Sequence, residues 1–253
     1  MIHFHDEGSG PAVVMAHSLT FDSRMWEAQL PELTKRYRVI RVDVHGHGGS
    51  GAPDRKFDLE WVADDLIGLL DRLEITTASW VGHSMGGMIG MRAAIRHPER
   101  ITRLCLLNTS PRSEAPTTRD LFHQVNESSR GKPSNAATVD FIMGLMFSRA
   151  FSADHPDVVA PYRELLMQPP QVQGIYRTGH AVIWRSDIRD LLGQIEVPAH
   201  VLSSDDDKST PPKFSKDIAE GIPNATLTSV PGGHMSPVEQ ADRVTEWLLE
   251  ALR

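Results

Sequence analysis

The 253-residue chain has a single cysteine, Cys105, so it can form no internal disulfide. That excludes a small fold stapled by bridges. Cys105 lies in the apolar run Leu104-Cys105-Leu106-Leu107, where a thiol reads as packed rather than reactive. Basic charge is not in excess: 26 Lys and Arg stand against 33 Asp and Glu, a net charge of -7. With no basic stripe, nucleic acid is not an expected partner. No apolar run reaches the length of a membrane span. Met1 to Glu7 lacks the charge-then-apolar layout of a secretory signal, and a cytoplasmic location is the simplest expectation. Internal repeats and low-complexity tracts are absent, and Gly46-x-Gly48 is a tight turn rather than a G-x-G-x-x-G nucleotide loop. His3-x-His5 has the spacing of a metal-binding pair, but no later ligand set accompanies it. No metal and no cofactor are expected.

What is present suits a large α/β fold. Hydrophobic residues make up 40% of the chain and charged residues 23%, enough apolar surface for a proper core. Short apolar runs read as doubly buried parallel strands at Ala12–Ala16, Val39–Asp43, Ser79–Val81, Ile101–Leu107, Ala199–Leu202 and Ala225–Val230. Helical patterns separate most of them. Leu59, Val62, Leu66, Leu69, Leu70 and Leu73 share one helix face. Thr210-Pro211 reads as a capped start of a helix ending near Gly221. Ser236-Pro237-Val238-Glu239 reads as a capping box opening the last helix. Alternating strands and helices imply a mostly parallel central sheet with helices on both faces.

The alternation breaks between about Arg112 and Gly193. This stretch has helical apolar clusters and proline joints but no strand-like run. The expected organisation is therefore a core of residues 1–111 and 194–253, with 112–193 as a helical cap over the carboxyl end of the sheet.

The chemistry centres on Gly82-His83-Ser84-Met85-Gly86, a G-x-S-x-G motif between a strand and a helix. A serine on such a corner projects its hydroxyl from the sheet, and glycines let strand and helix pack closely around it. A serine hydroxyl needs a base, usually a histidine oriented by a carboxylate. Downstream of Ser84 a strand ends in Asp205-Asp206-Asp207, and the next ends in Pro231-Gly232-Gly233-His234. Both fall where open α/β sheets build their sites. His234 is the candidate base. Asp207 has the best reach as the acid; Asp205 and Asp206 stay open, their plainer reading a solvated acidic turn. A further acid position, after Ile101–Leu107, holds Asn108, whose amide weakens that option. The oxyanion of a tetrahedral intermediate needs two backbone donors, for which the amides of Leu19 and Met85 are the candidates. His83 reads as a packing and hydrogen-bonding residue, and His45 and His47 as parts of a loop.

Together these segments resemble the α/β-hydrolase family over nearly the whole chain, including Asp43-Val44-His45-Gly46-His47-Gly48-Gly49-Ser50. Within it, Ser18-Leu19-Thr20, Met25-Trp26, Gln29-Leu30-Pro31 and Ser84 to Gly90 look most like 3-oxoadipate enol-lactonases and small carboxylesterases. The resemblance implies an α/β-hydrolase fold and hydrolysis of a small ester or lactone. Three departures stand out: Ser18 where glycine is usual, His45 where arginine is usual, and an amino terminus that enters partway through an opening hairpin, so that a first strand is expected to be missing. Met143, Met146, Phe147, Tyr176 and Trp184 are pocket candidates, each also readable as core of the insertion. Arg177, Arg185 and Arg189 are candidate partners for a substrate carboxylate, each also readable as a surface charge. The expected partner is a small-molecule ester or lactone, and a homodimer is the one assembly entertained. Carbon–carbon hydrolysis, perhydrolysis and a receptor role on the same scaffold are the alternatives.

Overall fold

A computed structural model of the chain describes residues 1–253. Seven strands form one sheet: β1 (Phe4–Gly8), β2 (Ala12–Ala16), β3 (Arg38–Val42), β4 (Ala78–His83), β5 (Ile101–Leu107), β6 (Ala199–Ser204) and β7 (Ala225–Val230). Their order is β1-β3-β2-β4-β5-β6-β7, all parallel except β1, which runs antiparallel to β3. After β2 the chain adds β3 on one side and β4 on the other. The carboxyl ends of β2 and β4 therefore flank the switch point where such sheets open a crevice.

Strand periodicity explains the two-sided core. Val14 and Ala16, Ile40 and Val42, Trp80, Leu104 and Leu106, and Val201 belong to one buried cluster. The alternate residues Val13 and Met15, Val39, Val81, Cys105 and Leu107, and Leu202 belong to the other. Because both faces are buried, the inner strands are mostly apolar, with Arg41 of β3 and Arg103 of β5 among the interruptions. On the first face pack α2 (Leu59–Arg72) and α3 (Met85–Arg96). On the second lie the 3-10 turn Ser23–Gln29, the short α1 (Leu30–Leu33) and α11 (Ala241–Ala251). Burial pushes the Cys105 thiol up to about 12, so it stays a neutral packed group. No helix is long and apolar enough to cross a membrane.

The edges depart from the sequence reading. β7 is not doubly buried: five of its six residues are exposed or half-exposed on the outer rim, with Leu227 at 41%. β1 carries His, Asp and Glu and so lacks the apolar signature, yet it closes the other edge. It makes no hairpin with β2, because β3 lies between them. His3, just before it, bonds Asp43 through Nδ1 at 2.8 Å. Two helix caps also differ. Thr210 does not cap α9 (Pro212–Gly221), and Ser236 and Glu239 form no capping box on α10 (Ser236–Glu239). Their polar groups are taken by tertiary partners described below.

Between β5 and β6 the chain forms five helices: α4 (Pro116–Ser128), α5 (Ala136–Met146), α6 (Arg149–Asp154), α7 (Pro156–Met167) and α8 (Val172–Ile183). α8 docks on the loop after β3 through a glycine-to-glycine contact. A Cβ on Gly174 would lie 2.4 Å from the Cα of Gly46, whose own φ is +77°. Thr178 Oγ1 donates to the His45 carbonyl at 2.6 Å beside it. Gly174→Ala should gain up to about 1 kcal/mol of helix propensity. Overpacking against an immovable backbone costs about 1–3 kcal/mol and should win. The expected outcome is a lower urea midpoint by tryptophan fluorescence; an unchanged or higher midpoint would show that α8 can shift off Gly46.

Candidate active site

Ser84 ends β4 and precedes α3 with φ +51° and ψ -112°, a conformation that side chains other than glycine rarely adopt. The packing around it enforces this turn. A Cβ on Gly82 would meet the carbonyl carbon of Gly86 at 2.4 Å, and one on Gly86 would meet the carbonyl of Ala16 at 2.1 Å. Three bonds complete the clamp: Ser84 N to Leu107 O, Gly86 N to His17 O, and Thr109 Oγ1 to Ser84 O at 2.6 Å. Ser84 is 7% exposed and lines a cavity of about 160 Å³.

His234 stands at the end of the loop after β7 and is fully buried. Its Nδ1 lies 2.8 Å from Asp207 Oδ2. Its ring packs on His83, the neighbour of Ser84, at 4.7 Å between centroids. His83 Nε2 donates to the His234 carbonyl at 2.7 Å, so the residue before the serine holds the histidine's backbone. The Nε2 of His234 is buried and has no partner.

Asp207 accepts five hydrogen bonds. Oδ2 receives His234 Nδ1, Asn108 Nδ2 and Thr210 Oγ1, each at 2.8 Å; Oδ1 receives the amides of Ser209 and Thr210. Burial alone would raise this carboxyl, but His234 and the donors of Thr210 and Asn108 outweigh it and hold it below the usual range. A carboxylate partner fixes the histidine with its proton on Nδ1, leaving Nε2 as the basic atom. Asp205 and Asp206 are exposed and point to other partners, Ser229 and Lys208.

Asn108, φ +45°, fills the end of β5 next to Asp207. Its Oδ1 receives Ser236 Oγ at 2.6 Å, which fixes the amide so that its NH2 faces the carboxylate. Sequence reasoning weighed Asn108 only as a failed acid and took Thr210 and Ser236 for caps; all three belong to the network around Asp207. Glu239 is likewise drawn away from its helix. It receives Gly233 N, Ser148 N and Ser148 Oγ, tying the loop that carries His234 to the start of α6.

The amides of Leu19 and Met85 make no backbone hydrogen bond. Met85 opens α3, where free N–H groups and the helix dipole favour negative charge. Leu19 sits in a loop held by two buried histidines. His17 donates from Nδ1 to Ser18 O at 2.7 Å and accepts Val44 N on Nε2 at 2.9 Å. His47 donates from Nδ1 to His45 O and accepts Thr20 N on Nε2, both at 3.0 Å. Each ring is therefore neutral with the proton on Nδ1, and protonating Nε2 would break a loop bond. His45 lies outside this cluster and bonds Asp65 at 3.1 Å.

The pocket candidates divide. Met146, Tyr176 and Arg185 line the cavity with Leu19, Thr20 and Ser84. Met143 and Phe147 do not line it; they are core, with Phe147 stacked on Phe151. Trp184 turns outward, 48% exposed, under Arg119. Arg177 bonds Pro53 O and Asp54, and Arg189 bonds Asp187, both away from the cavity.

With this geometry in view, the comparisons with known proteins are direct. A family model described as alpha/beta hydrolase fold matches residues 11–241. The chain belongs to the α/β-hydrolase family. It is 29% identical to 3-oxoadipate enol-lactonase 2 of Acinetobacter baylyi over 91% of this chain and 84% of that protein. It is 32% identical to a strigolactone esterase of Pisum sativum over 85% of this chain and 82% of that protein. The crystal structure of an enol-lactonase from Burkholderia xenovorans superposes with a TM-score of 0.93 at 30% identity, covering 99% of this chain and 96% of the other.

The buried histidines make stability depend on pH. Burial above all holds His47 and His83 down to about 3 and lowers His17 from the ordinary 6.5. A depressed folded value means the unfolded chain takes up protons first. The contribution of these rings is thus complete above about pH 6.5 and drains away as pH falls toward 3. Each can add a slope of up to about 1.4 kcal/mol per pH unit in that window. The urea midpoint should drop between pH 7.5 and pH 5, and His47→Gln should shallow that drop. Equal midpoints at the two pH values would contradict the assignment of neutral rings.

Proposed function

We propose that the chain is a serine hydrolase acting on a small carboxylic ester or lactone through an acyl-enzyme. The observation that carries this reading is the buried Asp207–His234 pair, its Nε2 unpartnered, packed on His83, the residue before a serine held in a strained turn. The relatives, an enol-lactonase and an esterase, support the same chemistry.

In this mechanism Ser84 Oγ attacks the substrate carbonyl while His234 Nε2 takes its proton. The positive imidazolium is stabilised by Asp207, which the Asn108 and Thr210 donors keep ionised and immobile. The amides of Leu19 and Met85 receive the oxyanion of the tetrahedral intermediate, aided by the amino end of α3. Collapse passes the proton from His234 to the leaving oxygen. Water then attacks the acyl-serine, with His234 again as base, and frees the acid. A lactone keeps its leaving hydroxyl attached, so ring opening gives one hydroxy or keto acid, the enol-lactonase-like form of the reaction. Nucleophile, base and oxyanion donors all come from the chain, so the mechanism calls on no cofactor.

Ser84→Ala should lower kcat on p-nitrophenyl acetate by about 10³–10⁶-fold, and Asp207→Asn by about 10⁴-fold through the wrong imidazole tautomer. Mass spectrometry after incubation with a panel of esters and lactones should find the acyl mass on the peptide bearing Ser84. Full activity in Ser84→Ala, or an adduct on another residue, would sink the proposal.

A further inference from the structure

The cavity that receives Ser84 has an unusual charge arrangement at its wall. Of the 26 residues lining it, 14 are hydrophobic and only Glu114, Lys132 and Arg185 carry charge. Lys132 is exposed, where water and salt screen it. Arg185 is the buried cation, its side chain 1% exposed. A buried guanidinium is the group expected to clamp a substrate carboxylate. Here that role is already filled from within the chain. Arg185 Nη2 donates to Glu114 Oε1 at 2.7 Å and Nη1 donates to the Val182 carbonyl at 2.8 Å. Only Nε is left without an acceptor.

We infer that the Glu114–Arg185 pair makes the cavity select uncharged, apolar esters or lactones and reject those bearing a free carboxylate. The inference rests on the serine hydrolase reading and names the substrate class for it. Two effects act together. Glu114 neutralises the one buried cation, so a second carboxylate gains no net partner. That carboxylate would also lie beside Glu114 in an apolar wall, where like charges repel and desolvation goes unrepaid. Glu114 thus acts as a built-in occupant of the anion position, and an enol-lactone that carries a carboxylate is a poor substrate for this chain. The lone Nε donor suits an uncharged acceptor such as a carbonyl or ether oxygen.

The test compares p-nitrophenyl butyrate with p-nitrophenyl hemiglutarate, esters of similar length that differ in a terminal carboxylate. For the unaltered protein the ratio of kcat/KM values should favour butyrate by at least about 100-fold. Glu114→Gln releases Arg185 and should lower that ratio by about tenfold or more, chiefly through a smaller KM for hemiglutarate. Glu114→Gln/Arg185→Met should return the ratio toward its starting value, because the gain requires the freed guanidinium. A ratio near one or below in the unaltered protein overturns the inference even if neither variant folds. So does an unchanged ratio in folded Glu114→Gln, or a gain that survives removal of Arg185. Butyrate turnover that persists in Ser84→Ala would instead overturn the underlying hydrolase reading, and failure to cleave either ester would overturn both.

Discussion

The close approach of α3 to β2 is the constraint on which the site depends. Gly86 lets the helix begin within van der Waals contact of Ala16, and Gly82 lets the strand end against the same helix turn. With no room for side chains at either glycine, the turn between them is forced through positive φ at Ser84. Strain of this kind typically costs about 1–3 kcal/mol and persists only where surrounding structure over-determines it. Here the surroundings are the bonds to Leu107, His17 and Thr109. The same approach brings the loop of Leu19 beside the amino end of α3, so Ser84 and the free amides of Leu19 and Met85 are positioned by a single packing contact.

Buried charge is handled differently at Asp207 and at Arg185. At Asp207, five donors satisfy both carboxylate oxygens, and the charge serves the histidine beside it. At Arg185 the charge is cancelled by Glu114 and serves nothing further within the chain. One charge is kept available to the reacting centre and the other is withdrawn from it. Elsewhere, His17 and His47 are kept neutral so that their rings can both donate and accept within loops, while His83 is held neutral by burial and donates from Nε2 alone.

Legibility in the sequence followed burial. The inner strands β2 to β6 are mostly apolar because both faces are covered, and periodicity alone reveals them. β1 and β7 are edges whose residues mix polar and apolar types, so β1 goes unannounced and β7 reads as more buried than it is. The order of Ser84, Asp207 and His234 along the chain was legible because each stands just past a strand end; the structure bonds Asp207 to His234 and packs His234 on His83, the neighbour of Ser84. The residues around Asp207 were harder. A hydroxyl before a helix reads as a cap, yet Thr210 gives its own back to Asp207 three residues earlier, and Ser236 gives its own to Asn108 across 128 residues that no local pattern encodes. Trp184 closes an amphipathic helix and reads as core or pocket, but its place past the last turn of α8 turns it to solvent. Glu114 sits in an irregular loop with no periodicity to mark it.

The ties on the loop carrying His234 have a mechanical consequence. Met235 N donates to the carbonyl of Met146 at the end of α5, and Glu239 bridges Gly233 to Ser148. The imidazole is thus fastened on one side to the sheet and on the other to the helices above the cavity. Lifting α5 would drag on His234 and on its bond to Asp207. A route into the cavity that leaves this seam shut spares that pair, in the way a door swings on the side away from its hinge.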